Sequence, residues 1–256
     1  SRLADGTLSF VIGTHALLED NVQFHRLGLI VTDEQHRFGI RQRAALTKNT
    51  EGVHVLAMSA TPIPRTLALL LFGALNISVL DELPPGRQTV STHCVDENYR
   101  LRLNAFIRKQ VTAGRQVYIV CPAVEESEEE AEDENKRKSA VAYAKKLKTT
   151  VFSDLEIACL HGKMKSAEKE TVMESFVEGQ IQILVSTTVI EVGVNVPNAT
   201  LMVIENAECF GLSQLHQLRG RVGRGQYQSY CILVSDARNE VAQERLKVMC
   251  SLHDGF

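Results

Sequence analysis

The 256-residue sequence lacks several features that would place it in a particular class of protein. No apolar run approaches the roughly 20 residues that a membrane helix requires. None of the six cysteines is part of a CxxC pair, and several lie in apolar runs, which predicts buried, reduced thiols rather than disulfides or a metal site. The formal net charge of −3 provides no overall basic field of the kind that marks many nucleic-acid binders. These absences predict a globular cytosolic protein.

Two absences concern the start of the chain and its nucleotide chemistry. The sequence begins at Ser1 without an initiator Met and without signal-peptide character, which predicts an internal cut. A GxxxxGK[ST] phosphate-binding loop is also missing, and Gly162-Lys163-Met164 does not match one.

Short apolar segments alternate with helical patterns along most of the chain, which predicts an α/β protein with parallel sheets. In the first part, we expect strands at 8–12, 27–31, 53–58 and 77–80, and helices near 40–46 and 65–72. In the second part, we expect strands at 117–121, 156–160, 182–186, 201–205 and 229–234. A Pro-Pro-Gly stretch at 83–88 is typical of an interdomain linker, and the charged segment 125–138 is expected to be a solvated excursion.

An acidic box, Asp33-Glu34-Gln35-His36, directly follows the strand expected at 27–31. The Asp33 carboxylate could hold Mg²⁺ through water, and Glu34 could orient and deprotonate an attacking water. An ordinary acidic loop at the end of a strand is the alternative interpretation. The carboxyl ends of strands are where ligands bind in open α/β sheets, which favours a functional role.

Hydroxyl groups follow two other expected strands. Ser59 and Thr61 could connect the acidic box to a neighbouring lobe by hydrogen bonds, and the alternative is a simple turn before a helix. Thr14 and His15 stand where a strand is expected to give way to a helix. A hydroxyl and backbone N–H groups there could hold a nucleic-acid phosphate, and an N-cap by Thr14 is the alternative.

A second group of hydroxyls leaves the strand expected at 182–186. Thr187 and Thr188 are placed to contact phosphate, while Gly193 and Asn195 could approach a ribose or the phosphates of a nucleotide. Turn chemistry would explain the glycine nearly as well, but it does not explain the paired threonines.

The most informative stretch is LHQLRGRVGRG at residues 215–225. Arg221 and Arg224 lie three residues apart in a glycine-rich turn, and two planar, permanently charged guanidinium groups suit the negative charge of a phosphoryl transition state. A buried structural role would require two carboxylate partners. The arginine pair and the acidic box together predict a nucleotide-driven motor whose site is divided between two lobes.

In this order, these motifs resemble motifs Ib, II, III, V and VI of superfamily-two helicases. The sequence closely resembles the bacterial RecG family over nearly the whole chain, at residues 59–66, 187–194, 203–206, 210–216 and 215–225. The resemblance implies RecA-like parallel sheets flanked by helices. On this basis 1–84 would be the rear of a first lobe, 85–236 a second lobe with an acidic insertion at about 124–140, and 237–256 the start of a helical hairpin.

The resemblance also implies an ATP-dependent, Mg²⁺-requiring motor that moves on branched double-stranded DNA, including stalled forks and Holliday junctions. Asp33 would coordinate Mg²⁺, Glu34 would be the general base, and Gln35 and His36 would sense the γ-phosphate. The remaining implied roles are arginine fingers for Arg221 and Arg224, with Gln217 beside them, and the DNA path for Thr14, His15, Thr187 and Thr188.

Ala242, Leu246 and Met249 would form one apolar face of the hairpin. A monomer in the bacterial cytoplasm is expected, with single-stranded-DNA-binding protein as a further candidate partner. The missing phosphate loop is expected to precede residue 1, so these 256 residues alone should lack ATPase activity.

Two residues depart from the family pattern: Asn195 replaces the usual Asp, and Cys209 replaces the usual Arg. The sequence is also compatible with two functions other than that of a RecG-type helicase. One is a double-stranded-DNA translocase of the transcription-repair coupling factor type, and the other is a non-catalytic DNA-binding module.

Overall fold

The computed structural model describes residues 2–19, 21–33, 52–59, 76–80, 88–122, 140–187 and 195–251. The chain divides into two compact units, Ser1–Leu75 and Asn76–Phe256. The helices expected near 40–46 and 65–72, most of the linker and the charged segment 125–138 lie outside the described residues.

The described residues of the first unit form two parallel strands, β1 (Leu29–Thr32) and β2 (His54–Ala57), and a 3₁₀ turn at His15–Leu18. Thr32 is paired with Ala57, and the Met58 amide donates a 2.8 Å hydrogen bond to the Thr32 carbonyl. The strands expected at 27–31 and 53–58 are therefore confirmed, with their ends shifted by one or two residues.

Two of the strand predictions for the first part of the sequence are wrong. Residues 8–12 and 77–80 have no regular secondary structure, and large apolar side chains such as Phe10 (78% exposed) and Leu80 (89% exposed) face solvent. Apolar and β-branched composition favours a strand, but an extended segment becomes one only where a neighbour accepts its backbone hydrogen bonds. No described strand lies beside either segment.

The second unit is built on a parallel sheet with six described strands. Their order across the sheet is β3-β8-β7-β4-β6-β5, so non-consecutive neighbours require crossover connections. The strands are β3 (Ser91–Val95), β4 (Gln116–Val120), β5 (Ile157–Leu160), β6 (Ile183–Ser186), β7 (Ala199–Ile204) and β8 (Tyr230–Val234).

Helices cover both faces of this sheet. The described α-helices are α1 (Arg100–Thr112), α2 (Ala140–Lys146), α3 (Ser166–Val177), α4 (Leu212–Arg219) and α5 (Glu240–Ser251). Helices α1 and α2 pack on one face, and α3, α4 and α5 pack on the other. All residues of β4 and β7 are buried, as expected for central parallel strands whose two faces are both covered.

The second series of expected strands is confirmed to within about two residues, and the predicted fold class with it. Sequence reasoning missed β3. The apolar face predicted for the last helix is confirmed, because Ala242, Leu246 and Met249 are the buried residues of α5. Within the described ranges, no helix has the length and apolar character to cross a lipid bilayer.

The prediction of buried cysteines holds for part of the set. Cys121 and Cys231 are fully buried, and burial raises the pKa of the Cys231 thiol to about 12. Cys94 and Cys209 are exposed, so the prediction is wrong for them, and Cys159 and Cys250 are half-buried.

Candidate nucleotide and nucleic-acid sites

In the first unit, two predicted site residues follow neighbouring parallel strands. Asp33 comes directly after β1, and Ser59 comes two residues after the end of β2. The pairing of Thr32 with Ala57 places both side chains at the carboxyl edge of the strand pair, and both are exposed. Glu34, Gln35, His36 and Thr61 lie outside the described residues.

Thr14 and His15 lie at the start of the 3₁₀ turn. Thr14 occupies the N-cap position with an extended backbone, and its carbonyl accepts a 3.0 Å hydrogen bond from the Leu17 amide. Its exposed side chain makes no capping hydrogen bond, so the N-cap alternative is not supported. His15 is described only in its backbone.

In the second unit, the arginine motif lies at the edge of the sheet where the strands begin. A Cβ built on Gly223 (φ +77°) would lie 2.6 Å from Val90, the residue before β3, and one on Gly225 would collide with the carbonyl oxygen of Pro197, just before β7. Helix α4 returns along the sheet after β7, so its last turn arrives at the amino ends of the strands. Sequence reasoning did not identify this edge.

The two predicted arginine fingers differ in their surroundings. Arg224 is exposed, and its Nε donates a 3.0 Å hydrogen bond to the Gly220 carbonyl, which holds the first part of the side chain against the turn. Arg221 is half-buried, and its guanidinium makes no hydrogen bond or ion pair anywhere in the described ranges. Gln217, one turn earlier on α4, is also half-buried.

The interior below this turn contains Tyr118 of β4, whose ring packs 4.9 Å from that of Phe176. Burial raises the pKa of the Tyr118 phenol to about 12, and the positive charges of Arg221 and Arg224 partly oppose this increase. The arginine turn is thus close enough to the core of the sheet for its charge to reach a buried β4 side chain.

Arg219 fixes the end of α4 against α5. This buried guanidinium donates to the Met249 carbonyl at 3.3 Å and lies 3.1 Å from Nδ1 of His216. Burial and the charge of Arg219 lower the pKa of His216, which favours the neutral imidazole that can accept this hydrogen bond. The arginine turn therefore follows a helix end that is anchored to its neighbour.

The other predicted residues of the second unit lie at opposite edges of the sheet. Thr187 follows β6 at the carboxyl edge, where its amide donates a 3.2 Å hydrogen bond to the Leu160 carbonyl. Asn195 is exposed and lies before β7, at the amino edge that also carries the arginine turn. Thr188 and Gly193 lie outside the described residues.

A buried ionic network at the carboxyl edge was not expected from the sequence. Arg100 donates to both carboxylate oxygens of Glu205 at 2.6 and 2.7 Å, and the Tyr143 hydroxyl donates to the same carboxylate at 2.9 Å. Arg100 also pairs with Glu97 at 2.6 Å. Burial and the charge of Glu205 raise the pKa of Tyr143, so this phenol stays protonated as a donor. The only sequence signal was a Glu at the end of a predicted buried strand.

Comparison with known proteins covers both units. A family profile for the DEAD/DEAH box helicase matches residues 1–70, and one for the helicase conserved C-terminal domain matches residues 100–226. ATP-dependent DNA helicase RecG of Synechocystis sp. is 55% identical over 256 residues, which is 100% of this chain and 30% of that protein. The Bacillus subtilis RecG protein is 49% identical over 255 residues, or 37% of its length.

Solved structures agree with the sequence matches. A structure of RecG bound to a three-way DNA junction superposes with a TM-score of 0.72 at 46% identity, covering 96% of this chain and 31% of that one. Saccharomyces cerevisiae Dbp5 bound to RNA and ADP BeF3 has a TM-score of 0.60 at 16% identity, covering 88% of this chain and 59% of that one, which shows a shared fold. This chain belongs to the RecG family, and it spans about a third of the length of the curated relatives.

Proposed function

We propose that this chain contributes the motor of an ATP-dependent helicase that remodels branched DNA in recombination and repair, at stalled replication forks and Holliday junctions. The observation that carries the proposal is the identity of 46% to a RecG protein whose structure contains a three-way DNA junction. The arginine turn supports it, since the guanidinium of the half-buried Arg221 has no carboxylate partner among the described residues. We assign the activity to the protein at the length its gene encodes, acting as a monomer in the bacterial cytoplasm, with single-stranded-DNA-binding protein as a further partner.

In this proposal the first unit supplies the acidic chemistry. Asp33 is an exposed carboxylate at a strand end, a hard oxygen donor suited to Mg²⁺ through bound water. Glu34 would orient and deprotonate the attacking water, and Gln35 and His36 would contact the γ-phosphate. Ser59 and Thr61 would connect this chemistry to nucleic-acid binding through hydrogen bonds.

The second unit would supply the positive charge. Arg221 and Arg224 would stabilise the charge that spreads over the transferred phosphoryl group, and anchoring of α4 by Arg219 would keep them preorganised. Gln217, Gly193 and Asn195 would contact the nucleotide beside them. An Asn at 195 can still donate and accept hydrogen bonds, although it lacks the charge of the usual Asp.

In the second unit, hydroxyl groups at the carboxyl edge of the sheet would hold nucleic acid. Thr187 follows β6 at the carboxyl edge of the second sheet, opposite the arginine turn, and its hydroxyl could donate to a backbone phosphate together with that of Thr188. Thr14 and His15 would do the same in the first unit. We further propose that 1–84 and 85–236 are the two motor lobes and that 237–256 begins a coupling hairpin.

The test is DNA-stimulated ATP hydrolysis by the protein at its encoded length. We expect a three-way junction to increase the hydrolysis rate well above that with linear duplex, and Asp33→Asn to abolish hydrolysis while leaving junction binding intact. Equal junction binding by both proteins, with no ATP hydrolysis by the unmodified one, would instead identify a non-catalytic DNA-binding module. The 256 residues alone should not hydrolyse ATP, because they contain no GxxxxGK[ST] loop.

A further inference from the structure

An arginine–tyrosine stack lies at the amino edge of the second sheet, next to the arginine turn. The guanidinium carbon of Arg115 is 3.1 Å from the centroid of the Tyr227 ring. Arg115 immediately precedes β4, and Tyr227 lies three residues after Arg224. The side chain of Tyr227 is half exposed, at 50%, so one ring face is covered by the guanidinium while a large part of the ring remains open.

Hydrogen bonds hold this stack in place. Arg115 Nη1 donates to Asn198 Oδ1 at 3.0 Å, and Asn198 Nδ2 donates to the Gly114 carbonyl at 2.8 Å. Asn198 belongs to the turn whose preceding residue, Pro197, lies directly against Gly225. The same turn therefore supports both the stack and the loop that carries the arginine pair, so the two are fixed relative to each other.

Distance and chemistry indicate what the exposed ring could bind. Three residues of chain span at most about 10 Å, so Tyr227 is separated from Arg224 by no more than roughly the length of a ribose with its triphosphate. An aromatic ring backed by a guanidinium is a stacking surface for a planar base. Glutamines border it: Gln88 donates to the Gln226 carbonyl at 3.4 Å, and Gln228 donates to the Thr89 carbonyl at 2.9 Å.

We infer that Tyr227, backed by Arg115, is the stacking surface for the purine base of the nucleotide whose phosphates Arg221 and Arg224 bind. The inference rests on the proposed function and adds the group that recognises the base. The tyrosine ring supplies the contact, and Arg115 is a positioning residue that holds the ring. The phosphates and the base would thus be bound by different parts of one continuous loop, residues 221–227.

The experiment separates base binding from phosphate binding in the protein at its encoded length. Dissociation constants are measured by calorimetry, with Mg²⁺ and without DNA, for a non-hydrolysable ATP analogue and for inorganic tripolyphosphate. We expect Tyr227→Ala to weaken binding of the analogue about tenfold, as for the loss of one base–aromatic stack, and to leave tripolyphosphate binding unchanged. Tyr227→Phe should behave like the unmodified protein, because the ring and not the hydroxyl makes the contact.

Two further variants complete the design. Arg115→Lys keeps the charge but loses the planar stack, so it should weaken binding of the analogue and spare tripolyphosphate. Tyr99→Ala removes a matched tyrosine, 46% exposed and 5.4 Å from the guanidinium carbon of Arg102, at the start of α1, and should change neither constant.

Two results would overturn the inference: unchanged analogue binding by Tyr227→Ala, or an equal loss for both ligands. The proposed function fails separately, if Arg221→Ala leaves ATP hydrolysis intact.

Discussion

Gly225 lies directly against the carbonyl oxygen of Pro197, closer than any side chain at this position would allow. The contact joins the end of the arginine turn to the residue pair that leads into β7. This contact determines how closely the turn packs against the edge of the sheet. It therefore also determines the backbone positions of Arg221 and Arg224. Packing therefore requires a glycine at 225, whereas backbone conformation (φ +77°) favours the glycine at 223.

Gly225→Ala should displace the arginine turn. A Cβ that collides with a backbone carbonyl cannot be relieved by a side-chain rotation, so we expect the free energy of unfolding to fall by about 1–3 kcal/mol. We expect ATP hydrolysis to fall by about a hundredfold or more, since small misplacement of catalytic groups is costly.

Gly220→Ala is the matched control in the same turn. Gly220 has helical dihedral angles, and the added Cβ would meet its nearest neighbour at 3.4 Å, so its free energy of unfolding should be close to that of the unmodified protein. Urea unfolding measures both variants. Equal stability of the two would show that the contact with Pro197 does not constrain the turn.

Loss of the Arg100–Glu205 ion pair, at the carboxyl edge of the second sheet, should strongly lower the free energy of unfolding. Glu205 is 1% exposed, and Glu205→Gln removes the buried charge that the partly buried Arg100 guanidinium contacts at two points. We expect a loss of about 3 kcal/mol in the free energy of unfolding. Asp154→Asn breaks the exposed Arg108–Asp154 pair and should have little measurable effect, because solvent screens such pairs. Similar losses in both variants would contradict the buried character of the network.

His216 predicts a pH dependence of stability. Its pKa is lowered by burial and by Arg219, so the unfolded chain binds this proton at a higher pH than the folded one. The neutral imidazole contributes fully to the free energy of unfolding above the ordinary histidine pKa near 6.5. This contribution is lost as the pH falls from there through the lower pKa of His216 in the folded protein. We expect His216→Gln to flatten the decline in unfolding free energy between about pH 7 and pH 5. An unchanged slope would mean that the imidazole is not held neutral by the fold.

Thr187 predicts a specific loss of DNA affinity. Thr187→Val keeps the shape of the side chain and removes the hydroxyl, so we expect junction binding to weaken by about 1 kcal/mol, or severalfold, with the same salt dependence. Thr149→Val is the control, because the Thr149 hydroxyl is exposed and donates to the backbone carbonyls of Lys145 and Lys146 at the end of α2. Fluorescence anisotropy with a labelled junction measures both. Equal affinities for the two variants would remove Thr187 from the DNA path.

Sequence reasoning found the apolar strands that pair with a described neighbour. Strands β4 to β8 are apolar and packed on both faces, so their composition was sufficient to find them. Strand β3 was missed because Ser-Thr-His-Cys-Val is a polar sequence at the sheet edge, which is stabilised by pairing with β8. The expected strand at 8–12 failed for the opposite reason: it is apolar, but no described strand pairs with it.

The sequence proposed residue types for the candidate site, but it could not give their arrangement. Local spacing identified the arginine pair and the threonines, since each group lies within a few residues. Contacts between distant parts of the chain could not be predicted from the sequence. Which residues meet depends on how the crossover connections return to the sheet, and this holds for Gly225 with Pro197, Arg115 with Tyr227 and Arg100 with Glu205. The location of the arginine turn at the amino edge follows from those same crossovers.

The central claim is that Arg221 acts on the phosphoryl group during hydrolysis, and single-turnover kinetics tests it most directly. Junction-bound protein at its encoded length is mixed with ATP, and the rate of the chemical step is measured for the unmodified protein, Arg221→Ala and the surface control Arg108→Ala. We predict a decrease of about a thousandfold or more for Arg221→Ala, much larger than its effect on ATP affinity, and no change for Arg108→Ala. A rate for Arg221→Ala within about fivefold of the unmodified protein would contradict the account.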